Sequence, residues 1–155
     1  MIVEIVVGVL LGGAFVVYAH RQRGRGEARI YAAGLVVAAL VYVGFALVRG
    51  AGPRWTALEV AGLLPFLGFS WLGLRRNPLW LAVGWVAHVG WDVGIHLPSG
   101  APAVVPGWYP LVCIGFDLIV AAAILRYQPR ADEQPHRSGP PPKGPVDACD
   151  RGGPA

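Results

Sequence analysis

Charge is what this chain has least of. Asp, Glu, Lys and Arg make up only 14% of its 155 residues, where a soluble domain carries nearer ~25%. That shortage argues against a soluble globular domain. Cysteine is also scarce. Cys113 lies in an apolar run and Cys149 near the end of the chain, so no disulfide is expected. No CxxC, P-loop, GxGxxG or GxSxG motif is present, which removes the motif-level case for a dithiol redox site, a phosphate-cradling loop or a serine nucleophile. No basic n-region precedes the first apolar run at Ile2 and no cleavage site follows it, so it is read as a retained helix rather than a signal peptide.

What the chain has in abundance is apolar residues, 55% of the total. They fall into five segments, 2–19, 30–48, 56–74, 79–97 and 108–125. Each is near the ~20 residues that cross a ~30 Å hydrocarbon core. Glu59 and Pro65 interrupt the third, and Pro65 is expected to kink it. The expected fold is all-α, a bundle of five transmembrane helices over 1–128 in the cell membrane. Short connections place consecutive helices antiparallel. Residues 129–155 include seven prolines and four glycines and almost nothing apolar, so a disordered cytoplasmic tail is expected.

The net charge of +4 does not point to nucleic acid. The basic residues sit where topology is set. Arg21, Arg23, Arg25 and Arg29 follow the first segment, Arg75 and Arg76 the third, and Arg126 and Arg130 the fifth, while only Arg49 and Arg54 lie on the other side. The positive-inside bias then puts the N-terminus outside and the C-terminus in the cytoplasm. Trp55, Trp80, Trp108 and Tyr109 stand at segment ends, as interfacial aromatics do. Gly8 and Gly12 form a GxxxG pair, and Gly34 with Ala38 offers a second small surface. These let helices approach closely within one subunit, with a homo-oligomer contact as the alternative.

The fourth segment carries His88, Asp92 and His96 at i, i+4 and i+8. On an α-helix they form one stripe rising about 12 Å. Ionisable groups in hydrocarbon are expensive, and they mark functional sites by default. With the topology above, Glu4, Glu59, His96, Asp92, His88 and Asp117 all lie in the outer half or near the midplane. The simplest account is one polar pocket open on the outer side and closed on the cytoplasmic side. Each residue also has a plainer reading. Glu4 can be interfacial, Glu59 can pair with Arg54, and His96 can be a helix-end histidine. His88 and Asp117 can form a structural pair across the fourth and fifth helices. Cys113, one turn from Asp117, can be a small packing residue.

Three chemistries fit the group. In acid–base catalysis, a carboxyl group withdrawn from water keeps its proton and can donate it. Asp92 is the expected donor, with His88, Asp117 and Glu59 as the other catalytic groups. His96, Trp85, Trp71, Phe66 and Cys113 would line the substrate site, since aromatic faces stabilise a developing cation. A greasy pocket with these groups suits cyclisation or isomerisation of an isoprenoid or terpenoid-like molecule. No cofactor is required for that. The second chemistry is a divalent metal held by Asp92, Asp117 and one of His88 or His96. The third is a proton-linked transporter or accessory subunit, which five helices would have to form as an oligomer. The expected partners are thus the lipid bilayer and a lipophilic small molecule.

The segments AHVGWDVGIHLP and VPGWYPLVCIGFDLIVAA, residues 87–98 and 105–122, carry a resemblance. They resemble a family of small bacterial multi-pass membrane proteins of unknown function with a His–Trp–Asp–His signature. The resemblance implies that His88, Asp92, His96 and Asp117 are the signature positions, and it implies no activity. In layout the chain is also similar to membrane-bound terpene cyclases and emopamil-binding-type isomerases, by fold-level analogy alone.

Overall fold

The computed structural model describes residues 1–97 and 104–127. Five α-helices form the bundle: α1 Ile2–Arg21, α2 Arg25–Val48, α3 Pro53–Arg75, α4 Leu79–Trp91 and α5 Tyr109–Arg126. A π-helical turn, Asp92–His96, extends α4. α1, α2, α3 and α5 are each long and apolar enough to cross a membrane. α4 reaches a comparable length only together with its π-turn. The tail expected over 129–155, Cys149 and residues 98–103 of the 98–107 connection lie outside the described residues.

Local sequence sets the helix ends. Gly24, Gly50 and Gly52 take positive φ in the tight connections, a region that glycine enters without steric penalty. The first connection is only three residues long, because α2 begins at Arg25 rather than near 30. Pro53 opens α3 from its first turn, where proline's missing N–H removes no helical bond. α3 runs through Pro65, which is exposed.

α1 packs chiefly on α5, α5 on α4, α4 on α3 and α3 on α2. The α1–α5 contact is parallel and backbone-close. A Cβ on Gly8 would run into the Val112 carbonyl, one on Gly12 into the Phe116 carbonyl, and one on Gly115 into the Ile5 carbonyl. The GxxxG pair therefore serves packing within the subunit. In the half of the bundle where α2 and α4 begin, the core is apolar, built on Leu35, Leu81, Trp85, Val120 and Ile124. Exposed apolar side chains cover the outside of every helix, the pattern of a surface solvated by lipid rather than water.

A buried histidine–aspartate site

The other half of the bundle holds the ionisable groups. Asp92, His88, Asp117 and Glu59 come from three different elements plus the π-turn, and each is at most 2% exposed. His88 is at the centre. Its Nδ1 lies 2.8 Å from Asp117 Oδ2 on α5 and 3.7 Å from Asp92 Oδ2 one turn on. The first is a hydrogen bond, and the second is too long to be one. Asp92 Oδ1 instead accepts the Tyr42 hydroxyl of α2 at 2.5 Å. The structural pairing of His88 with Asp117 is present, and Asp92 and Tyr42 are built around it.

A second pair sits one turn away. His96 Nε2 lies 3.4 Å from Glu59 Oε1 of α3. The Trp91 indole N–H donates to Glu59 Oε2 at 3.3 Å. Trp91 fits there because residue 62 is glycine: a Cβ on Gly62 would enter the indole ring. The Tyr42 ring lies between the two groups, stacked on His96 at 4.2 Å and 5.6 Å from the His88 ring.

The single stripe expected along 79–97 is corrected here. His88 and Asp92 do share a line, but the helix leaves the α register at Asp92. The Leu97 N–H bonds to the Asp92 carbonyl, five residues back. Pro98 has no N–H to close an α-turn onto Gly94, so that turn is weakly held as α. The wider turn advances less per residue. It turns His96 toward α3 and Glu59, away from Asp117. A metal set using His96 in place of His88 is therefore not assembled.

Three further expectations change. The ionisable groups do not open to the outer side: Asp92, His88, Asp117 and Glu59 are all buried. Val104 and Val105 pack on Tyr42 and Ala46 at that end. Glu59 pairs with His96 rather than Arg54, while Glu4 bonds to the N-terminal amine near the chain end, as an interfacial residue would. Trp71 is 57% exposed on the outside of α3 and does not join the group. Phe66 does, with its ring edge-on to His88 at 5.0 Å. Trp85 is wholly buried on the apolar side of His88, its indole N–H without a partner among the described residues. Cys113 is free and buried beside Tyr42 and Tyr109. Tyr42 and Trp91 are site residues that the sequence reading missed.

Asp92 Oδ2, His88 Nε2 and Glu59 Oε1 are buried without a hydrogen-bond partner among the described residues. Unpaired polar atoms in such surroundings are costly. One ligand atom from each of His88, Asp92 and Asp117 lies within 4.8 Å of the others, close enough to share one cation.

Residues 3–130 match DUF6010, a family of unknown function. The chain belongs to the DUF6010 family. No curated protein and no solved structure matches it. The match covers all five helices and every residue of the buried site. The family brings no activity, so function has to be argued from the site itself.

Proposed function

We propose that this DUF6010 protein is a multi-pass membrane enzyme that uses its buried His/Asp group for acid–base chemistry on a lipophilic molecule, of isoprenoid or terpenoid type. The observation that carries the proposal is the convergence of the Asp117 and Asp92 carboxyls on His88 Nδ1 in a fully buried setting. Such a setting places two carboxyl groups beside one imidazole, the pairing that general acid–base catalysis uses. In an isomerisation, the Asp92 carboxyl adds a proton to one carbon of a C=C bond. The cation that forms is held by the faces of Phe66 and Tyr42. His88, oriented by Asp117, takes the proton from the neighbouring carbon, so the double bond moves and no atom is gained or lost. Glu59 and His96 stand between this centre and the end of the bundle where α1, α3 and α5 begin, on the substrate's route in. The positive-inside bias makes that end the outer one. The substrate enters when the Val104–Val105 cover moves.

The reaction exchanges carbon-bound hydrogen with solvent, which gives a test without a known substrate. Cells expressing the wild type are grown in deuterated water and their isoprenoid lipids analysed by mass spectrometry. Site-dependent deuterium in one lipid is the expected result. It falls at least ~100-fold in Asp92→Asn and Asp117→Asn, the usual scale of a lost general acid or base. Folded variants that keep full incorporation would overturn the role assignment.

A second reading, a metal-dependent membrane enzyme, is favoured by donor atoms of His88, Asp92 and Asp117 that all lie within 4.8 Å of one another. One nitrogen and two oxygens suit zinc or non-haem iron. Elemental analysis of purified protein separates the two. One equivalent of metal, lost in Asp92→Asn, supports the metal enzyme. A transporter is supported less. Beyond His88 the buried core among the described residues carries only scattered polar atoms, the Trp85 indole N–H, the Ser70 hydroxyl bonded to the Ala32 carbonyl and the Tyr31 hydroxyl bonded to Glu27, which do not form a chain of hydrogen bonds.

A further inference from the structure

The arginines at the opposite end of the bundle do more than set topology. We propose that they hold the phosphate of an anionic phospholipid headgroup in a cavity between α2, α3 and α5. The cavity has a volume of about 420 Å³. Arg25, Arg75 and Arg76 line it, over an apolar floor that includes Leu81 and Ile124. No salt bridge among the described residues involves any of the three arginines. One carboxylate, Glu27, faces the same space, but it is already engaged. It accepts the Tyr31 hydroxyl at 3.2 Å and lies 3.4 Å from His20 Nδ1. Three guanidinium groups thus line a cavity that holds one carboxylate among the described residues.

Guanidinium forks match phosphate oxygens in shape and charge. A cavity with that rim and an apolar floor fits an amphiphile, with the phosphate at the arginines and an acyl chain along the bundle. The outer surface beside it is suited to the chain, because Leu74 and Leu79 are exposed there. Basic pockets between membrane helices take anionic headgroups in this way, and each arginine contributes about fivefold in affinity. This site lies at the other end of the bundle from His88 and Asp117 and does not depend on their chemistry.

The test uses the full chain, purified in non-ionic detergent and offered phosphatidylglycerol and phosphatidylcholine in equal amounts. Native mass spectrometry counts the lipid retained. The wild type is expected to retain phosphatidylglycerol at least about fivefold better. The R75Q/R76Q pair reduces that retention about 25-fold, two arginines at about fivefold each. The R75K/R76K pair keeps most of it, and Arg54→Gln at the far end leaves it unchanged. Should the glutamine pair fail to fold, Arg25→Gln alone is expected to lose about fivefold. Millimolar inorganic phosphate leaves the lipid in place. Equal retention of both lipids, wild-type retention in the glutamine variants, or displacement by free phosphate would each overturn the proposal.

Discussion

The Tyr42 hydroxyl donates a 2.5 Å hydrogen bond to Asp92 Oδ1 across 50 residues of sequence. It ties α2 to the first residue of the π-turn, and the same ring stacks on His96 at its last. One side chain from α2 thus holds both ends of the turn that separates the His88 group from the Glu59 pair. π-turns of this kind recur at functional sites.

Tyr42→Phe keeps the ring and removes the donor. Asp92 Oδ1 then loses its hydrogen-bond partner in a buried setting. A loss of about 1–2 kcal/mol in stability is expected, in line with buried hydrogen bonds in water and in membranes. Thermal unfolding in detergent measures it. A melting temperature equal to wild type would mean that the bond contributes nothing.

His88 and Asp117 are expected to be energetically coupled. In a double-mutant cycle with His88→Ala and Asp117→Ala, the interaction energy should exceed about 0.5 kcal/mol. Each single variant leaves one buried polar partner unpaired, so each is worse than half of the double variant. Strict additivity would mean that the 2.8 Å contact contributes no stability.

The α1–α5 contact gives a contrast between glycines. Gly115→Ala forces a methyl group into the Ile5 carbonyl, whereas Gly13→Ala meets nothing within 4 Å. Overpacking by one methyl group costs about 1–3 kcal/mol. Gly115→Ala should lower the melting temperature by several degrees and Gly13→Ala should not. Equal behaviour of the two would contradict the backbone-close packing.

The orientation read from the arginines can be checked in intact cells. A cysteine at position 76 should react with a membrane-impermeant thiol reagent only after the cells are opened, and one at position 54 before. Both positions are exposed at helix ends. The reversed pattern would place the polar site in the cytoplasmic half.

Much of this was legible in the sequence. Each apolar segment contains a helix. Hydrocarbon-length runs leave few alternatives, because backbone groups in lipid must bond within their own segment. The pairing of His88 with Asp117 was among the readings, since depth from the helix ends put both near the same level. The place of Trp71 could have been read better. Counted from buried Glu59 at about 100° per residue, Phe66 falls within about 20° of the same face and Trp71 about 120° off it. Its aromatic character suggested a role that its helical phase excludes.

Tyr42 could not have been found this way. Nothing near it in sequence marks it out from other residues of an apolar run, and its partner belongs to another helix. The π-turn was hidden for a related reason. The i, i+4, i+8 spacing is real, but spacing becomes direction only once the hydrogen-bond register is known.

The sequence by itself determined that this chain forms helices long and apolar enough to cross a membrane, how far each ionisable residue stands from its helix end, and which end is basic. Those follow from segment length, residue count and charge placement, which are local and additive. Only the tertiary structure decided which groups meet, that they are buried, and that His88 and His96 serve different partners. Contacts between helices depend on rotation and close approach, set by backbone contact at Gly8, Gly12 and Gly115, by space at Gly62, and by one change of register at Asp92.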